Sequence, residues 1–275
     1  MAQIREFIPL PIRRALGGWW HRNQTARQKQ ALLRSLRGDA VTCNVCNWTG
    51  AKFADDQWHP GTICPNCGSQ VRHRMLAAIL DGHLLRPGFE EKDLLQGRRV
   101  LHFAPERQLR DRIQSAASSY TTADFDRGDC DLRIDISSMP SVASDGFDVV
   151  IACDVLEHVP DDAGAFREIH RILVSDGVAI LTVPQRDPPS ATDEDPVVVS
   201  ESARFERFGQ KDHVRMYGDD FAERVSNAGF SVVTIDASHF DPLALDRHVL
   251  HPPIPGRHAL ATNHRRVYLA RKRPR

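Results

Sequence analysis

Four of the six cysteines fall in two short pairs, Cys43-x2-Cys46 and Cys64-x2-Cys67. Each pair can sit on a tight knuckle, and four thiolates complete a tetrahedron around Zn²⁺. Four protein ligands leave no open position, so the zinc expected here is structural. The surrounding stretch, residues 40–70, holds few apolar side chains and builds little core of its own. A metal staple is what such a segment needs. Cys130 and Cys153 are left over, and Cys153 ends an apolar run that reads as core.

The remaining chemistry-bearing residues are acids and histidines, and elements must bring them together. From residue 98 onward, strand and helix patterns alternate. Arg99–Phe103 reads as a buried strand, and Pro105 and Glu106 open a helix with Leu109, Ile113 and Ala116 on one face. Ser119–Ala123 is a second strand ending in Asp124, and Asp131–Asp135 a short third. Phe147–Cys153 is a strongly apolar fourth. A helix from Asp161 or Asp162 carries Phe166, Ile169 and Leu173 and stops at Gly177. Val178–Val183 is the fifth strand. Asp219 or Asp220 starts a helix through Phe221, Val225 and Ala228 to Gly229, and Ser231–Ile235 and Val267–Ala270 are the last strands. This alternation predicts an α/β fold with a doubly wound, mostly parallel, seven-stranded sheet. Ligands in such sheets bind beyond the carboxyl ends of the strands. Those ends carry His102–Glu106, Asp124, Asp135 and Asp154–His158.

The run Phe147-Asp-Val-Val-Ile-Ala-Cys-Asp-Val-Leu-Glu-His-Val159 precedes Phe166–Gly177 and Ala179-Ile-Leu-Thr-Val-Pro184. From about Gly97 to Lys272 the chain resembles the class I S-adenosylmethionine-dependent methyltransferases. A bacterial subgroup with an N-terminal zinc ribbon is closer still, through His-Phe-Ala-Pro-Glu (102–106) and Phe-Gly-x-x-Asp-His-Val-Arg-x-Tyr-Gly (208–218). The resemblance implies a Rossmann-like domain, S-adenosylmethionine as cofactor, and methyl transfer. It implies that Asp124 accepts both ribose hydroxyls in charge-assisted bonds. Asp135 would take the adenine amino group, and the Ile136 backbone the ring nitrogen. The helix opening at Pro105 would present free N–H groups to the cofactor carboxylate, and His102, Phe103 and Ala104 are further candidate cofactor contacts. Glu106 would meet the ammonium, and Asp154 and Val155 would form a wall. The family's first loop normally carries glycines for close backbone approach, and residues 102–107 have none.

An oxygen or nitrogen acceptor must lose a proton, and His158 and His213 are the candidate catalytic bases. His213 stands beside Asp212 in a long polar insertion, 185–216, that reads as a lid. Arg207 and Arg215 are candidates for an anionic acceptor. A second insertion, 237–264, holds His239, His248, His251, His258 and His264 with Asp241 and Asp246. Their spacings match no compact metal site, so this reads as a solvated loop.

The organisation expected is a basic arm over 1–38, a zinc-ribbon module with its helix over 39–90, and the methyltransferase domain over 91–275 with both insertions. Residues 71–85 read as a helix closed by Gly88, with Met75 and Ile79 in one row and Leu76, Leu80 and Leu84 in another. The arm has Trp19-Trp20 amid arginines and reads as a packed or solvated segment, or as a contact for membrane lipid or RNA. Lys+Arg and Asp+Glu both total 36 in 275 residues, so no net charge draws the whole molecule to nucleic acid. No segment has the apolar length of a membrane span, and no signal peptide is read, which points to a reducing cytoplasm. The leading function is a small-molecule or glycan methyltransferase. An RNA methyltransferase and a non-catalytic cofactor-binding or adaptor protein remain as alternatives.

Overall fold

The computed structural model describes residues 26–56, 58–82, 84–87, 94–185, 190–258, 261–263 and 265–273. Trp19-Trp20 and the rest of residues 1–25, Gly88 and His264 lie outside the described residues. The arm's remainder is a helix, Ala26–Ser35 (α1), whose Lys29 donates to the Asn66 carbonyl at 2.5 Å. Val41–Thr42 (β1) and Thr49–Gly50 (β2) pair as a small antiparallel ladder that flanks the first cysteine pair. Helix α2, Val71–Asp81, follows them. It ends earlier than the pattern suggests, because Gly82 turns left-handed at φ 73° and donates to Ala78 and Ile79. Leu85 then pairs with Phe240 in an isolated bridge.

The main sheet takes its strands from Arg99–Phe103 (β3), Ser119–Asp124 (β4), Leu132–Arg133 (β5), Phe147–Cys153 (β6) and Leu173–Thr182 (β7). After Asp193–Glu194 (β8) and Arg215–Met216 (β9), which pair with each other, it gains Phe230–Ile235 (β10) and Val267–Lys272 (β11). The seven-stranded order is β10-β11-β7-β6-β3-β4-β5, and β11 alone runs against its neighbours. The expected doubly wound, mostly parallel sheet is what forms. Helices α3 (Arg107–Ala116), α4 (Asp162–Ile172), α5 (Glu201–Phe208), α6 (Phe221–Asn227) and α7 (Pro242–Arg247) connect or flank the strands.

Two local expectations change. Leu173 is the first residue of β7 and not the last of the preceding helix. It is fully buried in extended backbone, and the strand continues through Asp176, at φ 64°, and Gly177, with a register shift opposite Phe147/Val149. Strand β5 is shorter than Asp131–Asp135, because Asp131 accepts from the backbone and hydroxyl of Thr122 and Asp135 pairs with Ser138.

Alternation along the strands fills both faces. Leu101, Phe103, Val150, Ala152 and Leu181 meet Phe166 and Ile169 of α4 and Phe221 and Val225 of α6. Val100, Val149, Ile151 and Ile180 meet Met75, Leu76 and Ile79 of α2 and Leu109 and Ile113 of α3. The helix after the zinc knuckles therefore covers the sheet itself. Its Arg74 is fully buried. The guanidinium donates to the carbonyls of Thr62 and Ser69 in the cysteine region, and of His248 and Val249 in the second insertion, and lies 4.3 Å over the Phe53 ring. Burial pushes its pKa down to about 10, so it stays charged at neutral pH.

Arg74→Met should keep the volume but strip four buried carbonyls of their donor. Loss of one side of a buried charged network costs about 3–5 kcal/mol. Urea unfolding should detect it, and an unchanged midpoint would mean that Arg74 does not tie these segments together.

Candidate active site

The chain leaves β3 toward β4 and β5 on one side, and leaves β6 toward β7 on the other. The carboxyl ends of β3 and β6 are therefore the switch point of the sheet. Both ends carry left-handed, non-glycine residues: Ala104 at φ 46° and Asp154 at φ 51°. That conformation costs an L-residue about 1–2 kcal/mol and is concentrated at functional sites. Ala104 thus makes the turn for which glycine is the usual choice, and its N–H is fixed to Ala123 O at 2.8 Å.

Asp154 accepts from the Thr182 hydroxyl at 2.9 Å and lies 3.3 Å from both Arg72 Nε and Arg265 Nη1. Burial opposes its charge, but Arg265, Arg72 and the Thr182 hydroxyl prevail and hold its pKa at about 2. Arg72 also donates to Glu106 at 3.1 Å, and His73 Nε2 lies 2.8 Å from the same carboxylate. Glu106 thus points toward α2. Burial works against its charge, and His73 and Arg72 together keep its pKa below the ordinary carboxylate range.

Asp124 ends β4, and its Oδ1 accepts from the N–H groups of Asp126 and Arg127. Asp135 Oδ1 accepts from the Ser137 N–H and hydroxyl. Among the described residues, Oδ2 of each has no hydrogen-bond partner. Ile136 and Phe103 are buried in the same core, and Val155 packs against it. The ring of His102 is turned into the sheet and bonded to the Tyr120 hydroxyl at 3.0 Å. Burial lowers its pKa to about 4.

The two sequence motifs meet across residues 154–160 and 208–218. A 3₁₀ turn, Leu156–His158, follows Asp154. Val214 N–H donates to Glu157 O at 2.9 Å. Arg215, nearly fully buried, donates to the carbonyls of Leu156, Val159 and Pro160, and Tyr217 Oη donates to Asp162 at 2.9 Å. This clasp sets the His158 and His213 rings edge to face, with centroids 4.7 Å apart. The buried Glu157 carboxylate lies 3.8 Å from His158 and 3.9 Å from His213. Burial, reinforced by His158, holds His213 at about 4, so its ring is neutral at pH 7. Arg215 is committed inside the clasp, and Arg207 pairs with Asp193 and Asp195, so neither guanidinium is free for an anionic acceptor.

The sulfurs of Cys43, Cys46, Cys64 and Cys67 converge within 4.8 Å of one another. Two sulfur–sulfur separations are 3.7 Å. Tetrahedral Zn²⁺ with bonds of about 2.3 Å needs about 3.8 Å. Hydrogen bonds among the thiols drive Cys43 below, and Cys64 and Cys67 above, the ordinary thiol range. Four bare thiolates this close repel, and a cation removes the conflict, so the set fits a structural zinc. Asn66 Nδ2 donates to Cys46 Sγ at 3.4 Å, and the Ser69 hydroxyl is 3.2 Å from Cys43 Sγ. The histidines of the second insertion do not converge among the described residues. His239 binds Asp236, His248 meets Thr42 O, His251 faces Asp246 and His258 stacks on Trp58.

A family model described as a methyltransferase domain matches residues 85–235, more than half of the chain. The chain belongs to the S-adenosylmethionine-dependent methyltransferases. Among solved structures, the cyclase SpnF aligns to this methyltransferase with a TM-score of 0.50 and 15% identity, over 81% of this chain and 86% of that one. The N1-methyltransferase for 1,6-didemethyltoxoflavin from Burkholderia thailandensis aligns with a TM-score of 0.44 and 16% identity, over 74% and 88%. A methyltransferase from Mesorhizobium loti aligns with a TM-score of 0.45 and 15% identity, over 65% and 92%. At these identities the likeness is one of fold. No curated protein matches the chain. Among the described residues, no helix is long and apolar enough to cross a membrane.

Sequence reasoning missed three residues that the fold gathers at this rim: Arg72, Arg265 and Glu157. Glu157 lies inside the motif already singled out, beside His158. Arg72 and Arg265 had no local signal.

Two outcomes follow. Cys43→Ser should bring bound zinc below one per chain by elemental analysis and lower the melting temperature, because three thiolates do not close the tetrahedron. Full zinc in that variant would remove Cys43 from the ligand set. His102 is neutral when folded but takes a proton below about pH 6.5 when unfolded. Stability should therefore fall as pH drops from about 6.5 to 4, with about 3 kcal/mol assignable to this ring. His102→Gln should flatten that slope in calorimetric melts, and an unaltered slope would point to another group.

Proposed function

We propose that this methyltransferase moves the methyl group of S-adenosylmethionine to an oxygen or nitrogen of a small molecule or glycan. In this reading Asp124 grips the ribose diol through its open Oδ2, and Asp135 and the Ile136 backbone take the adenine edge. The turn through His102, Phe103 and Ala104 backs the methionine end, and the helix that opens at Arg107 offers its first N–H groups to the methionine carboxylate. Asp154 and Val155 wall the cofactor near its sulfonium. The acceptor's lone pair attacks the methyl carbon, the carbon–sulfur bond breaks, and the sulfonium becomes a neutral thioether. The protein's task is to align the two and exclude water.

The observation that carries this reading is the His158–His213–Glu157 cluster, clasped beside Asp154 at the carboxyl end of β6. Oxygen and nitrogen acceptors shed a proton during transfer, and groups able to handle one stand at that edge. In the same reading Arg72 brings the zinc-bearing region into the site as scaffold, with no role for it in gripping a nucleic acid strand.

Labelled S-adenosylmethionine and a fractionated bacterial extract test the substrate class. Label should enter the small-molecule or glycan fractions, and label confined to RNA would overturn the reading. Asp124→Ala should weaken S-adenosylhomocysteine binding by about 1.5–3 kcal/mol, or roughly 10- to 150-fold, since it removes one side of a charge-assisted pair. Equal affinity by calorimetry would mean that the sugar is held elsewhere.

A further inference from the structure

We propose that Glu157, His158 and His213 form a second metal site, a three-ligand centre for a divalent transition-metal ion beside the cofactor crevice. One ligand atom from each residue falls within 4.8 Å of the others. Glu157 Oε1 is 3.8 Å from His158 Nε2 and 3.9 Å from His213 Nε2. Those gaps are too long for hydrogen bonds. Nitrogen and oxygen ligands about 2.1 Å from a tetrahedral ion stand about 3.4 Å apart. A closure of about half an ångström brings each Glu157–histidine pair to that spacing.

The ring orientations favour the same assignment. His213 Nδ1 faces the Phe208 carbonyl at 3.1 Å, and His158 Nδ1 faces the Asp212 carbonyl at 3.3 Å. An Nδ1–H donated to a carbonyl leaves the lone pair on Nε2, and a bond of that kind is the one that orients metal-ligating histidines. Both Nε2 atoms then turn toward one carboxylate. Two atoms of the cluster are also orphans. Glu157 is 1% exposed, and neither its Oε2 nor His213 Nε2 has a hydrogen-bond partner among the described residues. Buried polar atoms left unpaired cost stability and call for an unseen partner. A cation bound by the carboxylate and both imidazoles supplies one.

The ligand set separates this site from the zinc cluster. Two imidazoles and a carboxylate suit zinc, iron(II), cobalt or manganese, whereas four thiolates select zinc and close its shell. Asp154 is outside the set because Arg72 and Arg265 hold it. Three protein ligands leave a position open, and the exposed side of the cluster is at His158, which is 34% exposed. The ion's role rests on the proposed oxygen or nitrogen acceptor. Bound at the open position, an acceptor hydroxyl or amine becomes more acidic by Lewis-acid polarisation.

The test uses the full chain, equilibrated with excess Zn²⁺ and, separately, Mn²⁺, freed of unbound metal and measured by elemental analysis. The wild type should retain about two zinc ions per chain, one in each site, or one zinc and one manganese. Glu157→Gln, His213→Gln and His158→Gln should each retain only the thiolate-bound zinc. His158 is on the open side, so its variant leaves the buried packing in place, and the retained zinc reports that the amino-terminal region is folded. One metal per chain in the wild type, or two in all three variants, overturns the site. A second metal without label transfer to any hydroxyl or amine acceptor leaves the site standing and sinks the acceptor assignment. Transfer by a chain that holds one zinc does the reverse.

Discussion

A carboxylate enclosed at the centre of the sheet's rim stays ionised only if cations are brought to it. Asp154 draws them from both directions along the chain: Arg72 from the start of α2 and Arg265 from just ahead of β11. Its own backbone is left-handed, so it cannot relax outward without undoing the turn after β6. Arg72 spans the crevice, because it also meets Glu106 beyond the end of β3. The two strands that define the switch point are thus joined by one guanidinium that belongs to neither. Removal of either arginine would leave this buried charge with one cation in place of two, a partial loss of the pairing that keeps it ionised.

That constraint accounts for the position of the zinc-bearing region. Residues two apart on a helix point in nearly opposite directions. Arg72 turns toward the crevice, and Arg74 turns toward the carbonyls of Thr62, Ser69, His248 and Val249. Helix α2, anchored on the sheet by Met75, Leu76 and Ile79, therefore carries one arginine to the cofactor side and another to the cysteine side. Order imposed by zinc on the knuckles is passed through α2 to the rim.

Short continuous apolar runs made β3 and β6 readable, β-favouring residues did so for β4, and their order placed Asp124 and Asp154 at strand ends without any contact being known. The four cysteines were readable because metal geometry is local at each knuckle. The failures share a cause. Leu173 has the spacing of a helical core residue and is buried as expected, but burial does not say whether a residue is in helix or strand. Arg215 has the charge of a ligand-binding residue, yet it is spent on carbonyls brought close by folding. Arg72 and Arg265 reach Asp154 across sequence separations that no pattern records. The absence of glycine in the 102–107 turn suggested an altered loop, and the backbone made the left-handed turn with Ala104 regardless. Sequence reports a residue's preference, and tertiary packing decides whether that preference is overruled.

The same logic changes the reading of the first insertion. A lid must open, and opening this one at residues 213–217 would strand the buried Arg215 guanidinium and the carbonyls of Leu156, Val159 and Pro160 together. Such an opening gives up four hydrogen bonds from one guanidinium at once, so the closed form is strongly favoured. Segment 213–217 is better understood as a fixed wall that sets His213 against His158. Any motion that admits an acceptor falls to parts of the insertion outside the clasp. Helix α5 is tied to that wall at its end, where Phe208 is buried and its carbonyl faces His213 Nδ1, while Phe205 one turn earlier stands exposed. A rigid wall of this kind keeps the His–Glu cluster in register, and in-line transfer depends on groups held that firmly.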